Sequence, residues 1–303
     1  MKQAILLHNP GAGDEDHLKS DLVECIENEG YTCVYFSVKK GDRWVHQLDQ
    51  ADFAIVAGGD GTVRGVVKEL VKRNALDKKI PVTILPMGTA NNLSIALGID
   101  SNLNHSSHIK SWNNSKRQRF DVGVIKNAET TDFFLEGAGY GVFPHLIQKM
   151  IAVDKSKVKN AKDELKLALE VLHDIILSAQ SEKFWIKADD QIYEGNCILL
   201  EVMNIQSIGP NLILSPEAAT DDGVFNVVYV DEEQRADFAD YIKKRIDQQD
   251  VTFNYKSFEA KELTIDCESA YMHIDDELVL PLKNIAVFEV RENVLEFLVP
   301  TSS

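Results

Sequence analysis

The chain has 303 residues, with 44% hydrophobic and 26% charged side chains; at about 150 residues per domain that length suits roughly two domains. The mix is that of an ordinary globular protein and excludes a largely disordered, fibrous or collagen-like chain. With 32 basic and 48 acidic residues the formal charge is −16, which repels phosphate backbones and anionic bilayers, so general nucleic-acid binding is not expected.

The first apolar run, Ala4-Ile5-Leu6-Leu7, is too short for a secretory signal. No run approaches the roughly 18 apolar residues of a membrane span. Cys25, Cys33, Cys197 and Cys267 show neither CxxC pairing nor metal-ligand spacing, so they are expected as reduced thiols in a cytoplasmic protein.

Strand-like runs at Ala4–His8, Thr32–Ser37, Phe53–Ala57 and Val82–Leu85 alternate with helical patterns near Glu15–Glu29, Asp42–Asp49 and Thr62–Lys72. Leu18, Leu22 and Ile26 recur at i, i+4 and i+8, one face of a helix. This order predicts a parallel sheet covered on both faces, whose ligands collect at the carboxyl ends of the strands. Beyond about Asp121 the pattern changes. Helices are predicted at Phe143–Val153 and Lys159–Ala179. Short strands follow at Phe184–Lys187, Ile192–Tyr193, Cys197–Met203, Gly223–Val230, Phe253–Phe258, Leu263–Cys267, Ala286–Val290 and Val294–Val299, with hairpin turns at Ala188–Gln191 and Arg291–Asn293. Many short strands with few crossovers predict an antiparallel sandwich.

Three loops fall at strand ends in the first part: Asn9-Pro10-Gly11-Ala12-Gly13, Gly58-Gly59-Asp60-Gly61-Thr62 and Pro86-Met87-Gly88-Thr89-Ala90-Asn91-Asn92. Glycine lets a phosphate approach backbone amides, and a following helix adds positive dipole. Thr62 and Thr89 serve there as helix caps or as hydroxyl donors. Each loop alone is a weak signal; three on one sheet edge imply a polyphosphate site. There is no GxxxxGK[ST] loop and no HRD or DFG set, so P-loop and protein-kinase machinery are excluded. Gly137-Ala138-Gly139-Tyr140-Gly141 has its third glycine one residue early for a dinucleotide fingerprint, and no such site is expected there.

These loops, with Glu136–Gly141, Pro216-Glu217-Ala218 leading to Asp222-Gly223, and Ile274-Asp275-Asp276-Glu277, resemble the diacylglycerol kinase catalytic-domain family. That family includes bacterial soluble lipid kinases and the sphingosine and ceramide kinases. The resemblance covers almost the whole chain. It implies an α/β three-layer nucleotide-binding domain over residues 1–122, completed by the last strands at about 286–303, and an antiparallel β-sandwich domain over 123–285. It also implies ATP- and Mg²⁺-dependent phosphorylation of a lipid hydroxyl.

Carried over by motif, Asn9, Pro10, Gly11, Ala12 and Gly13 would face the nucleotide. So would Gly58, Gly59, Asp60, Gly61, Thr62, Val63 and Arg64, with Gly88, Thr89, Asn91 and Asn92; Ser37 is a weaker contact. Asp60 and Asp121 would anchor a carboxylate–Mg²⁺–water network. Asp275 would be the general base, with Glu277 beside it. Asp222 and the carbonyls of Ala219 and Val224 would hold a second, structural Mg²⁺, since hard cations take oxygen ligands. Two positions depart from the family pattern: 92 is asparagine where the family has aspartate, and 276 is aspartate where it has glycine.

Charge is uneven. Glu217 to Glu277 holds 17 acids and 6 bases, a net −11, whereas Lys149 to Lys166 holds six lysines against three acids. The basic stretch and the spacing of Leu165, Leu169, Leu172 and Ile176 fit a helix packed on the sandwich, or one in transient contact with a membrane. A lipid alcohol is the expected partner, and a homodimer is compatible. Two alternatives stay open: an NAD kinase-like enzyme of a soluble acceptor, and a catalytically weak nucleotide-binding regulator.

Overall fold

A computed structural model describes residues 2–12, 18–40, 43–73, 77–126, 131–154, 156, 158–279 and 285–301, with backbone alone at 40, 131 and 277–279. The chain forms two compact units, Met1–Phe120 with Asn293–Ser303, and Asp121–Glu292.

In the first unit, strands β1 (Gln3–His8), β2 (Thr32–Ser37), β3 (Phe53–Gly58) and β4 (Val82–Pro86) lie in the order β4-β3-β1-β2, all parallel. Every residue of β3 and β4 is buried, as befits strands covered on both faces. Helix α1 (Lys19–Asn28) turns Leu22 and Ile26 inward, where they meet Leu6, Phe53, Ile55 and Trp112. Residues 13–17, at the predicted start of this helix, lie outside the described residues. Helix α2 (Asp60–Val71) buries Val63, Val66 and Val67. The helix predicted at Asp42–Asp49 is instead a 3₁₀ segment, Val45–Gln50, a short form that ends before a full α-turn repeat develops. Two short helices follow, α3 (Asn92–Ala96) and α4 (His105–Ser111).

The second unit is antiparallel. Strand β5 (Ser115–Lys126), which enters it, pairs with β6 (Thr131–Phe134). Then come β7 (Gly137–Gly141), helices α5 (Val142–Ala152) and α6 (Ala161–Ser178), β8 (Glu182–Ala188), β9 (Gln191–Met203), the two-residue pair β10 (Ser207–Ile208) and β11 (Leu212–Ile213), and β12 (Phe225–Asp231). After helix α7 (Arg235–Ile246) follow β13 (Lys256–Ala260), β14 (Glu262–Cys267), β15 (Met272–Ile274), β16 (Glu277–Val279) and β17 (Ile285–Pro300). The strand path β16-β15-β7-β9-β8-β14-β17 carries β12 and β13 beside β9. One core, with Phe134, Ile186, Val202, Phe225 and Phe288, lies within the strands. A second packs α5, α6 and α7 on Ile198, Leu199, Val228 and Val230.

Several elements differ from the sequence expectation. The runs at 192–193 and 197–203 are one strand, β9. Arg291–Asn293 is no hairpin but the middle of β17, where Asn293 takes a left-handed φ of 55°; a single such residue bends a strand without reversing it. Helix α7 was not expected, although Phe238, Tyr241 and Ile242 repeat at helical spacing and are buried. The Asp189–Asp190 hairpin is present, with Asp189 at φ 48° and Ala188 opposite Gln191. Leu169, Leu172, Ile175 and Ile176 are buried in the core, so that face of α6 is a packing face. Lys155 and Lys157 lie outside the described residues. No helix among the described residues is long and apolar enough to cross a membrane.

Candidate active site

The three glycine loops lie at the carboxyl ends of β1, β3 and β4, and side chains tie them together. Asn9 Nδ2 donates to Thr62 Oγ1 (3.0 Å), while Asn9 Oδ1 accepts from the N–H of Gly11 (3.2 Å). This links the first loop to the second. The Asp60 carboxylate accepts from the N–H groups of Asn92 (3.0 Å) and Leu93 (3.1 Å), linking the second to the third. Gly59 and Gly88 meet backbone to backbone: a Cβ on Gly59 would lie 2.9 Å from the Gly88 Cα. Here glycine serves close approach between neighbouring strands, since neither residue has a positive φ. Asn91 does, at 56°, and closes a ring with Gly88 by accepting its N–H (2.9 Å) and donating to its carbonyl (2.8 Å).

The second loop is tighter than its sequence suggests. Strand β3 ends at Gly58 and α2 begins at Asp60, so Gly59 alone connects them. Asp60, Gly61 and Thr62 form the first turn of a twelve-residue helix, whose amides point to the carboxyl edge of the sheet.

A cavity of about 560 Å³ opens at this edge. Of the residues expected to face a nucleotide, Asn9, Ala12, Gly59, Gly61, Thr62, Gly88 and Thr89 line it. Val63 and Arg64 do not, being 1% and 4% exposed and turned inward by the helix. Asn92 is 2% exposed and contributes its backbone N–H to Asp60. Pro10, Gly11, Ser37, Gly58, Asp60 and Asn91 lie outside the lining as well. Gly13 lies outside the described residues. Sequence reasoning missed Val38, Trp44, Gly65 and Val66, which also line the cavity, and Lys39, whose ammonium packs against Gly11. A lone Trp44 after a strand carries no motif; the helical repeat of α2 was the signal for Gly65 and Val66.

The second unit holds the other candidate carboxylates. Asp275 is 7% exposed, with a left-handed φ of 49°. The N–H of Leu135 donates to both of its oxygens (3.1 Å each), and those of Glu136 (2.9 Å) and Gly137 (3.3 Å) donate to Oδ1. All three donors favour the charged carboxylate. Position 276 has no positive φ; the left-handed residue of the turn is 275, so aspartate replaces the family's glycine at 276 without strain. The side chain of Glu277 lies outside the described residues.

Asp121, 2% exposed, accepts the N–H of Gly223 (2.8 Å) through Oδ2, and its own N–H donates to Thr220 (2.7 Å). It thereby anchors the turn that presents the exposed Asp222, whose Oδ1 accepts from the N–H of Val224 (3.2 Å). Asn204 Nδ2 donates to the carbonyls of Asp121 (3.0 Å) and Leu135 (2.9 Å). No cluster of three His, Cys, Asp or Glu side chains surrounds one point among the described residues. Asp60 in the first unit and Asp222 in the second each offer carboxylate oxygens of the kind Mg²⁺ takes, one or two carboxylates with water and phosphate completing the shell. The four cysteines are free. Burial pushes Cys33 up to about 11 and Cys267 up to about 12, so neither is a thiolate nucleophile at neutral pH. A second cavity, about 800 Å³, lies between α7 and residues 250–254. Asp237, Asp240, Lys244 and Asp250 line it together with Tyr241, Val251 and Phe253.

Residues 3–125 match the model of the diacylglycerol kinase catalytic domain, and residues 149–298 match that of the YegS C-terminal NAD kinase beta sandwich-like domain. The chain belongs to the diacylglycerol kinase catalytic-domain family. Within this lipid kinase family it is 27% identical over 254 residues to a diacylglycerol kinase of Bacillus subtilis, covering 80% of this chain and 77% of that one. To a diacylglycerol kinase of Staphylococcus carnosus it is 24% identical, covering 88% and 89%. The fold is that of a diacylglycerol kinase structure from Bacillus anthracis (TM-score 0.70, 18% identity, 98% and 97% covered). It is also similar to an NAD kinase of Archaeoglobus fulgidus in complex with ATP (TM-score 0.51, 12% identity, 98% and 93% covered).

Proposed function

We propose that the protein transfers the γ-phosphoryl group of ATP to the hydroxyl of a lipid alcohol, diacylglycerol-like or sphingoid-like. The supporting observation is the cavity at the carboxyl ends of β1, β3 and β4, with its three cross-linked glycine turns. Phosphoryl transfer through a loose transition state asks the protein for positioning and charge neutralisation. The turn amides and the first turn of α2 supply both for the phosphates. Val38, Trp44 and Val66 offer an apolar wall for the base end of the nucleotide, and Lys39 a cation beside Gly11.

Asp60 of the first unit is proposed to help hold the catalytic Mg²⁺, and Asp222 of the second, with the carbonyls of Ala219 and Val224, the structural one. When bound, the metal supplies neutralisation of phosphate charge. Asp275 is proposed as the base for the acceptor hydroxyl. Its carboxylate accepts three backbone N–H groups and is proposed to take the proton late, as bond formation acidifies the alcohol. The acceptor is met at a membrane surface and left quickly, because a chain of charge −16 is repelled by anionic lipid.

Incubation with γ-labelled ATP and Mg²⁺, separately with diacylglycerol, a sphingoid base and NAD, tests this reading. Labelled lipid is the expected product, abolished by EDTA. Labelled NADP supports the soluble-acceptor alternative, and ATP binding without any product supports the regulatory one.

A further inference from the structure

Three neighbouring strands place His273, Gly139 and Glu201 in one row. His273 of β15 is opposite Gly139 of β7, and Gly139 is opposite Glu201 of β9. Strands two apart are separated by about 10 Å, and a side chain on the middle strand ordinarily fills that gap. Here the middle residue is glycine, and a Cβ on it would lie against the Leu200 carbonyl oxygen and the Glu201 carboxyl carbon, closer than contact allows. The two outer side chains therefore meet over Gly139: His273 Nε2 lies 3.0 and 2.9 Å from the Glu201 oxygens. Both residues are buried, at 1% and 0% exposure.

The other ring nitrogen, Nδ1, lies 2.9 Å from the backbone carbonyl of Asp275. A carbonyl only accepts, so Nδ1 carries the hydrogen and donates it. The opposite nitrogen then shares one proton with Glu201. Burial raises the Glu201 carboxyl against the opposing pull of His273. Burial acts to lower His273, and the Glu201 charge, the hydrogen bonds to Glu201 and to the Asp275 carbonyl, and the Asp275 charge together outweigh it, leaving the ring raised. Phe143 closes the ring from its edge, 5.9 Å between centroids.

We infer that His273, oriented by Glu201 across Gly139, is a positioning residue that holds the Asp275 turn in its left-handed conformation and so aims the Asp275 carboxylate into the amides of residues 135–137. This role rests on the phosphotransfer reading above, yet its geometry is testable without it. It gives the Gly137–Gly141 run a purpose other than nucleotide binding: the run is a strand whose central glycine makes room for a buried pair.

The test uses the full chain and begins with Glu201→Gln, which removes the buried charge and leaves the Nδ1 donor in place. Its turnover and amide exchange are expected to stay within about threefold of wild type; a loss as deep as that of a His273 variant contradicts the inference. In that background His273→Asn keeps an amide donor near the Nδ1 position, whereas His273→Gln keeps one only near Nε2. The Gln variant is expected to lose about 10–100-fold in kcat, the usual cost of removing an orienting partner, with KM for ATP unchanged. Hydrogen exchange at the amides of Leu135, Glu136 and Gly137 should accelerate in the Gln variant, and the Asn variant should recover most of both effects. Equal behaviour of the Asn and Gln variants, or wild-type exchange in the Gln variant, overturns the inference. If the wild-type protein phosphorylates no lipid, the exchange data still decide the positioning role, and only the functional reading falls.

Discussion

Asp275→Asn is expected to lower kcat by about 10²–10⁴-fold, the range for loss of a general base, while ATP affinity stays within about twofold. The glycine turns that line the cavity proposed for the nucleotide belong to the other unit of the chain, 1–120 with 293–303, so removing this carboxylate leaves them intact. Asparagine keeps one oxygen for the N–H of Glu136 but turns an NH₂ group toward the N–H of Leu135. Donor facing donor in a buried site costs about 1–3 kcal/mol, which thermal unfolding will register. Steady-state kinetics with ATP titrated by calorimetry separates the two effects. Parallel loss of ATP affinity and turnover would reduce Asp275 to a structural support.

Asp60→Ala should weaken ATP binding at least tenfold and destabilise the first unit by about 1–3 kcal/mol, because the N–H groups of Asn92 and Leu93 lose their acceptor where water is excluded. Asp60→Asn keeps one acceptor and should recover about half of the stability. The pair of variants also separates the anchoring role from the proposed metal role. If Asp60 acts only as an anchor, activity follows stability across both. If it also holds Mg²⁺, the Asn variant loses Mg²⁺-dependent turnover as completely as the Ala variant while binding metal-free ATP almost normally. Calorimetry with and without Mg²⁺ reads this directly, and unchanged ATP affinity in Asp60→Ala contradicts both roles.

Much of the glycine-loop end was legible in the sequence. Buried parallel strands are written as continuous apolar runs, and glycine at a strand-to-helix junction is a local signal, so β1 to β4 and their loops could be read directly. The carboxylate end was less so. Asp275 was singled out by motif, but its donors are backbone amides 138 to 140 positions away, and a backbone amide leaves no mark on a sequence. Asp60 shows the same limit, since its partners at 92 and 93 act through the main chain whatever their side chains. Glu201 and His273 are joined by strand register alone, and the one local hint was a glycine at 139 in a run that only approximates a dinucleotide fingerprint. Strand β17 misled because Arg291-Glu292-Asn293 has the polarity of a turn, while the bend at Asn293 is absorbed within one strand.

The acceptor is the central claim, and a competition measures it most directly. The protein is given γ-labelled ATP and Mg²⁺ with equimolar diacylglycerol in mixed micelles and NAD in solution, and the phases are separated after a single turnover. Label in the organic phase that disappears in Asp275→Asn is the expected result; label confined to the aqueous phase as NADP contradicts the account.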